Sequence, residues 1–356
     1  MKASFKKHTF NFLFPAGTSR GVLHTKDAWF LSITNEKSLL VGIGECSVIP
    51  SLSPEFTSEE DYCEKLNELI SSLESINFSA FIEENSISFT TFGQSFLNEL
   101  NEWPSIKFGL ECALLDANQK GSGIIFDNPF SRGEISIPIN GLVWMGNKEF
   151  MLKQIEQKIA EGFKTIKLKI GAIDFDSELG LIRGIREKFS SNEITIRVDA
   201  NGAFNEFSVY KILNELKRYD VHSIEQPVGQ NELALLNVLA KENIVPIALD
   251  ESLIACQNRS TKRELLDEIE PQYIVLKPSL HGGLSGTKEW IQLAEERKIG
   301  WWITSALESS LGLAAIAQFT GNYPVNLPQG LGTGGVFSNN LPSNLIIANG
   351  QLTMKK

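Results

Sequence analysis

The sequence predicts an α/β protein in which an α+β domain is followed by a parallel (β/α) barrel. Two observations lead to this prediction. The first third of the chain has strand-like segments followed by helical ones, which is the order typical of an α+β domain. From about residue 135, short apolar runs alternate with helical stretches, and many of these runs end on a charged residue. Strands that alternate regularly with helices favour a parallel sheet closed into a barrel.

The N-terminal segments show the patterns of strands and then of helices. Residues 4–14 and 28–48 alternate polar with apolar or aromatic residues, so we expect strands there. The segment "PAGTSRG" between them is rich in turn-forming residues and predicts a loop. Residues 55–120 contain helical stretches, one of which begins at Pro104, a residue favoured in the first turn of a helix.

Composition and charge limit the classes of function. At 356 residues the chain is too long for one ordinary core. Its formal net charge of −10 argues against a broad nucleic-acid surface, so we expect a small-molecule partner.

The sequence has no apolar run long enough to span a membrane, and the N-terminal apolar stretch is interrupted by Asn11, unlike a signal peptide. Four scattered cysteines without metal-binding spacing indicate reduced thiols in a cytoplasmic protein. The sequence leaves open a homo-oligomer.

The strand "TIKLKIG" shows how the barrel segment places its charges. Side chains alternate between the two faces of a strand, so Ile166 and Leu168 share one face while Lys167 and Lys169 share the other. Helices cover the outside of a barrel strand, and the apolar face suits that layer. We therefore expect both lysines to point into the barrel. The same alternation applies to the strands that follow.

Five charged residues lie at the ends of successive predicted strands, each about one strand–helix unit from the next: Lys169, Asp199, Glu225, Asp250 and Lys277. Their positions in the alternation of each strand place them on the face opposite the apolar residues, so we expect them to point inward. The carboxyl ends of barrel strands are where active sites of this fold are built. An alternative is a set of buried ion pairs that only stabilise the barrel. Because buried ion pairs seldom stabilise more than apolar packing does, five such residues at one level favour a functional site.

The three carboxylates predict a metal site. Asp199, Glu225 and Asp250 are oxygen ligands without a nearby Cys or His, a set that suits Mg²⁺ or Mn²⁺ rather than zinc. A cation there makes the α-proton of a bound carboxylate acidic, and Lys169 is placed to remove it. Lys167 on the same face would lower the pKa of Lys169 by charge repulsion. A Schiff-base lysine and a non-catalytic barrel are the alternatives.

The motifs "KLK", "DAN", "EQP", "DES" and "KPS", in this order, resemble the enolase superfamily, in the branch related to muconate-lactonising enzymes. A lysine base used together with Mg²⁺ is known in that superfamily. The resemblance extends over essentially the whole chain. It implies an α+β capping domain over residues 1–130, completed by a C-terminal segment of about 336–356. Residues 131–335 would form a modified (β/α)₇β barrel of the TIM type.

Within that branch the sequence most resembles the o-succinylbenzoate synthases, lyases of menaquinone biosynthesis. This narrower resemblance rests on "TSALESSLGLAA", "GLGTGG" and "PAGTSRG". Dipeptide epimerases of the branch carry an acidic "DxD"-like element near the eighth strand, and "GLGTGG" stands there instead, which disfavours an α-ammonium substrate. N-acylamino acid racemase, dipeptide epimerase and muconate cycloisomerase activities remain the alternatives.

The resemblance also implies residue roles. Lys169 would act as the base and then as the acid of a syn dehydration, and Lys277 would stay protonated to stabilise an enediolate. Asp199, Glu225 and Asp250 would hold the metal ion. The residues expected to contact the substrate are Lys167, Arg197, Asn201 and Ser305. The residues expected to form a lid loop are Thr18, Ser19 and Arg20.

Overall fold

An antiparallel sheet, a group of helices and a parallel barrel follow one another along the chain. The computed structural model describes residues 1–18, 21–35, 41–84 and 86–355. The predicted fold class, an N-terminal α+β part followed by a parallel barrel, is confirmed. None of the helices in this described part combines the length and the hydrophobicity of a membrane-spanning segment.

The N-terminal sheet consists of β1 (Lys2–Thr18), β2 (Gly21–Thr34) and β3 (Val41–Ser47), which pair in that order. The loop predicted at "PAGTSRG" is too long, because β1 continues to Thr18 and pairs there with Gly21 of β2. Both strands therefore extend beyond the segments in which polar and apolar residues alternate. The pairing register shifts between Asn11 and Ala16. Such an irregularity breaks the polar–apolar alternation from which strands are recognised, so the sequence pattern alone ended β1 too early.

Three helices follow the sheet: α1 (Glu59–Glu74), α2 (Thr91–Asn98) and α3 (Pro104–Asn118), with a single 3₁₀ turn at Phe78–Ala80. The helix α3 begins at Pro104, as predicted, and is buried along its whole length. It packs closely on β3, because a Cβ atom at Gly44 would lie 1.8 Å from the carbonyl oxygen of Gly109. Only glycine permits so close an approach of helix and strand backbones.

Seven parallel strands form the barrel sheet and are hydrogen-bonded in chain order. They are β5 (Gly141–Val143), β6 (Thr165–Lys169), β7 (Thr195–Asp199), β8 (Ser223–Glu225), β9 (Ile247–Leu249), β10 (Tyr273–Leu276) and β11 (Gly300–Ile303). The helices are α4 (Lys148–Ala160), α5 (Phe175–Arg186), α6 (Val209–Lys217), α7 (Leu233–Glu242), α8 (Arg259–Ile269), α9 (Gly283–Glu296) and α10 (Ser310–Thr320). Each strand is followed by one helix, which is the predicted repeat.

A short segment after α10 closes the barrel. Gln329 bridges to Ile139 and Gly330 bridges to Thr304, both in parallel orientation. The backbone N–H of Gly330 donates to Ile303 over 2.8 Å, and that of Gln329 donates to Pro138 over 2.8 Å. These two residues therefore occupy the place of an eighth strand between β11 and the start of the barrel segment.

The C-terminal segment contacts two other parts of the chain. The antiparallel pair β12 (Leu345–Ala348) and β13 (Gln351–Met354) joins β4 (Ile137–Pro138) in a small sheet. Upstream of it, the backbone N–H of Ser338 donates to Asn11 over 2.9 Å, so this part of the tail lies against β1. The domain boundaries given above remain a prediction.

Candidate active site

The carboxyl ends of β6, β7 and β8 bring charged residues side by side. Lys169 is in register with Asp199, and Asp199 is in register with Glu225. The apolar residues between them, such as Leu168 and Val198, are buried in the main hydrophobic core. Alternation along three neighbouring strands therefore places ammonium and carboxylate groups together at one end of the barrel interior.

Lys167 is an ion-pair partner of two carboxylates. Its Nζ lies 2.7 Å from both carboxylate oxygens of Glu225 and 3.0 Å from Oδ2 of Asp199. Burial alone would lower the pKa of Lys167, but the carboxylates of Asp199, Glu225 and Asp250 raise it above its ordinary value. The ammonium of Lys167 therefore remains charged in the barrel interior.

Lys169 is held by a polar neighbour at the end of the next strand. Its Nζ donates to Oδ1 of Asn201 over 2.7 Å and lies 3.4 Å from Oδ2 of Asp199. Asn201 has a left-handed backbone with φ of +44°, a conformation that asparagine tolerates better than most residues. Its Nδ2 donates to Glu251 over 2.9 Å. Asn201 thus fixes the position of the Lys169 ammonium at the cavity.

Lys277, at the end of β10, forms an ion pair with Oδ2 of Asp250. Burial would lower the pKa of Lys277, but Asp250, Glu251 and Glu225 raise it above its ordinary value. Lys277 is therefore protonated at neutral pH. Lys277 and Lys169 therefore differ in their surroundings, because the nearest partner of Lys277 is a carboxylate and that of Lys169 is an amide oxygen.

The three carboxylates fit a divalent cation in their chemistry. Burial, together with the negative charges of Asp199 and Asp250, raises the pKa of Glu225. A cation relieves this accumulation of charge. Oδ1 of Asp250 is buried and has no hydrogen-bond partner among the described residues. All donors are hard oxygen atoms, which Mg²⁺ and Mn²⁺ prefer.

Lysine side chains lie between these carboxylates in the structure. Within residues 1–18, 21–35, 41–84 and 86–355, no three acidic, histidine or cysteine side chains are grouped closely enough to share a metal ion. Lys167 instead bridges Asp199 and Glu225, and Lys277 pairs with Asp250. A cation shared by all three carboxylates therefore requires the lysine contacts to rearrange.

A cavity of about 250 Å³ opens above these groups. Lys167, Lys169 and Lys277 line it, and Ser305 lies in its wall, where its Oγ is 2.5 Å from Oγ1 of Thr333. Residues of the N-terminal part complete the wall, among them Gly21, Val22, Leu23, Ile49, Pro50, Ser51 and Leu52. The cavity is sized for a small molecule, and both charged and apolar side chains line it.

Arg197 lies away from this cavity, in contrast to the expectation that it contacts the substrate. It shares the parity of Asp199 but is two residues deeper in the strand, about 7 Å further into the barrel. Its Nη1 donates to the carbonyl of Pro328 over 2.8 Å, and its guanidinium stacks on Trp302 with 4.0 Å to the ring centroid. These contacts indicate a packing role, and burial lowers the pKa of Arg197 to about 10.

The expected lid loop is described only in part. Thr18 belongs to β1, and its backbone pairs with Gly21, which lines the cavity. Ser19 and Arg20 lie outside the described residues. The last described pair of β1 and β2, Thr18 with Gly21, therefore lies next to the cavity.

Glu251 is a cavity residue that the sequence reasoning missed. Strict alternation after Asp250 would turn Glu251 towards the helices. The strand β9 ends at Leu249, however, and a 3₁₀ turn begins at once, over Glu251–Leu253. This turn brings the Glu251 side chain to the cavity, where it accepts from Asn201. The pair of adjacent acids in "DES" was the available signal.

Comparison with known proteins places the chain in a family. Residues 151–354 match the model of the enolase C-terminal domain-like family. The chain is 46% identical to the o-succinylbenzoate synthase of Desulfotalea psychrophila, over 99% of this chain and 98% of that protein. It belongs to the enolase superfamily. Membership of this superfamily implies the use of a divalent metal ion.

Solved structures agree with this assignment. The structure of MenC from Desulfotalea psychrophila LSv54 matches with a TM-score of 0.88 and 41% identity, over 99% of each chain. The L-Ala-D/L-Glu epimerase from Bacillus subtilis matches with a TM-score of 0.83 but only 19% identity, over 99% of this chain and 96% of that chain. The second match shows that proteins with little sequence similarity to this chain share its fold.

Proposed function

We propose that this protein is an o-succinylbenzoate synthase. It would dehydrate 2-succinyl-6-hydroxy-2,4-cyclohexadiene-1-carboxylate in the biosynthesis of menaquinone. The observation that carries the proposal is a cavity that Lys169 and Lys277 both line, above three buried carboxylates. The full-length similarity to a synthase of this name supports the choice of substrate.

Lys169 is proposed as the base and then as the acid. Its Nζ takes the α-proton from the carbon that bears the carboxylate, and the electron pair of that C–H bond moves into the carboxylate to give an enediolate. The electron pair of the enediolate then forms the new C=C bond of the ring as the C–O bond breaks, and the same ammonium gives its proton to the departing hydroxyl group on the same face, so that water leaves. Asn201, 2.7 Å from this nitrogen, orients it for both transfers.

Lys277 is proposed to stabilise the enediolate as an ammonium. Its raised pKa, due to Asp250, Glu251 and Glu225 acting against burial, supports a role in which it never loses its proton. A fixed positive charge is most useful where negative charge develops during the reaction. Lys167, similarly charged, would contribute to the same positive field from one layer deeper in the barrel.

Asp199, Glu225 and Asp250 are proposed to hold the metal ion, which we take to be Mg²⁺, with Mn²⁺ as a substitute. When bound, this ion supplies a Lewis acid for the substrate carboxylate. Asn201 and Ser305 line the cavity and are proposed to contact the substrate. Thr18, Ser19 and Arg20 remain the proposed lid. The four cysteines are unpaired, which is consistent with the cytoplasmic location that we propose.

The test is an assay of the purified protein with the cyclohexadiene carboxylate and Mg²⁺. We expect dehydration to o-succinylbenzoate, and the absorbance of this product measures the rate. The alternative, racemisation of an N-acylated amino acid, is tested in parallel with an N-succinyl amino acid in D₂O. Rapid α-proton exchange that yields both stereoisomers, without dehydration of the first substrate, would rule out the synthase.

A further inference from the structure

The loop that follows β11 forms part of the cavity wall in a backbone conformation that needs support. Residues 304–307 line the cavity. Leu307 has φ of +61°, in the left-handed region that L side chains rarely adopt. A leucine persists in this conformation only when its surroundings hold it there. The position of the wall therefore depends on contacts made from outside the loop.

Lys26 makes such a contact from the N-terminal sheet. It lies on β2 and is only 3% exposed. Its Nζ donates to the carbonyl oxygen of Leu307 over 2.8 Å and also donates to Oγ of Ser47. Lys26 is not one of the described residues that line the cavity. Its ammonium therefore acts on the wall through the backbone of Leu307.

Two buried carboxylates balance the charge of Lys26. Glu308 accepts from Oγ of Ser279 over 2.5 Å and from the backbone N–H of Ala306 over 2.7 Å. Glu45, on β3, accepts from the backbone N–H of Ser309 over 2.9 Å. Burial lowers the pKa of Lys26, and the charges of Glu308 and Glu45 counteract this effect.

The same carboxylates hold the two ends of the loop. Glu308 binds the amide of Ala306 within the loop, and Glu45 also accepts from the backbone N–H of Gly312 over 3.0 Å, in the first turn of α10. Carboxylates are favoured at helix N-termini because the N–H groups there have no partner within the helix. The N-terminal sheet thus supplies both an anion and a cation to the segment 304–312.

We infer that Lys26 is a positioning residue that fixes the cavity wall through the carbonyl of Leu307 and thereby determines how tightly the substrate binds. The inference rests on the proposed function and extends it to a residue outside the cavity. Lys26 touches no reacting atom. Its loss is therefore expected to raise KM rather than to prevent proton transfer by Lys169.

The chain offers a matched control in Lys262. It is another buried lysine, 0% exposed, whose Nζ donates to the carbonyl of Gly286 and to Glu289, each over 3.0 Å. It lies on α8, and it is not among the described residues that line the cavity. Lys262→Met removes the same chemical group from a place where the two hydrogen-bond partners, Gly286 and Glu289, are not among the described residues that line the cavity.

The experiment compares Lys26→Met, Lys26→Arg and Lys262→Met with the unchanged protein in steady-state dehydration assays with Mg²⁺. For Lys26→Met we expect KM to rise about tenfold or more with kcat within about threefold, because the lost hydrogen bond involves a charged donor. Lys26→Arg, which keeps a charged donor, should recover part of the loss. Unchanged KM in Lys26→Met, or equal losses in Lys26→Met and Lys262→Met, would overturn the inference.

A measurement that needs no activity separates this inference from the proposed function. Hydrogen–deuterium exchange of peptides that cover 304–309 should accelerate in Lys26→Met and remain unchanged in Lys262→Met. If the unchanged protein has no synthase activity but this exchange pattern holds, the proposed function fails while the positioning role stands. If Lys26→Met does not fold, Lys26→Gln, which keeps a donor without the charge, is measured instead. Unaltered exchange in the folded variant contradicts the role.

Discussion

The ammonium of Lys169 donates to Oδ1 of Asn201 over 2.7 Å, and Nδ2 of Asn201 donates in turn to Glu251 over 2.9 Å. This chain of hydrogen bonds leads from the proposed base on β6 to a buried carboxylate in the 3₁₀ turn that follows β9, three strands along the barrel. The two bonds fix the orientation of the Asn201 amide, because its oxygen faces Lys169 and its nitrogen faces Glu251. The direction in which Lys169 points is therefore set by residues at the ends of β7 and β9.

Replacing Asn201 tests this orientation. Glycine is the suitable substitute, because φ is +44° at this position and a side chain such as alanine would add backbone strain. We expect Asn201→Gly to reduce kcat about 10- to 100-fold, since the general acid–base group loses its fixed position. Steady-state kinetics measures the effect, and thermal unfolding serves as the control. Wild-type kcat in a folded variant would contradict the assigned role.

Replacing Lys169 itself tests the assignment of the base. We expect Lys169→Ala to lose turnover by at least about 10³-fold, because no other described group at the cavity is placed to transfer both protons. Binding of Mn²⁺, followed by electron paramagnetic resonance, should remain. Full activity in Lys169→Ala would rule out the mechanism proposed above.

Removal of the metal ion tests the carboxylate site. We expect a chelator to abolish activity and Mg²⁺ to restore it. Asp250→Asn should weaken Mn²⁺ binding at least about tenfold, because it removes one anionic oxygen ligand. A matched variant is Asp116→Asn, since Asp116 is also buried but binds backbone N–H groups of Ile43 and Gly123 far from the cavity. Equal metal affinity in the two variants would contradict the proposed ligand set.

Glu178 supports the loop that follows the base. Its buried carboxylate accepts from the backbone N–H groups of Gly171 over 2.8 Å, Ala172 over 3.2 Å and Ile173 over 3.3 Å. Glu178→Ala leaves these donors without an acceptor, and we expect a loss of about 2–4 kcal/mol in the free energy of unfolding. Urea denaturation measures it. Glu187→Ala, at an exposed position at the end of the same helix, should change stability by less than about 0.5 kcal/mol.

The stability of the fold should depend on pH through His281. Burial lowers the pKa of this ring to about 3 from its ordinary value of 6.5. The unfolded chain therefore takes up a proton below pH 6.5, while the folded protein does not. The contribution of His281 is complete above pH 6.5 and is lost as the pH falls, by at most about 1.4 kcal/mol per pH unit.

Comparison with His281→Asn measures this contribution. The variant should show a shallower decline in the free energy of urea unfolding between about pH 6.5 and pH 5, since asparagine does not titrate. Buried carboxyl groups such as Glu111 and Glu308, whose pKa values are raised mainly by burial, are present in both proteins and cancel in the difference. Parallel curves for the two proteins would show that His281 is not the group responsible.

Alternation along the strands predicted the inner face for four of the charged side chains in the barrel. Lys167, Lys169, Asp199 and Glu225 lie on the inner face because their apolar neighbours fill the layer between sheet and helices. The alternation predicts the face of the strand on which a side chain lies, but not how far that side chain is from the cavity along the barrel. Arg197 shares the parity of Asp199 and nevertheless packs on Trp302, below the cavity.

Contacts between distant parts of the chain could not be predicted in this way. Glu251 enters the cavity because β9 ends abruptly in a 3₁₀ turn, which breaks the alternation. Lys26 lies outside the two strands predicted from the sequence, and its burial depends on the barrel loop that packs over it. Such positions depend on packing between elements that are far apart in sequence, which no local pattern contains.

Closure of the barrel by Gln329 and Gly330 has a consequence for how the protein is made. The ribosome delivers β5 first, and the residues that pair with the start of the barrel segment come last. Until then the growing sheet has two open edges, with backbone groups free to pair with other nascent chains. An incompletely synthesised barrel therefore keeps unpaired backbone donors and acceptors at its two edges until this two-residue closure forms.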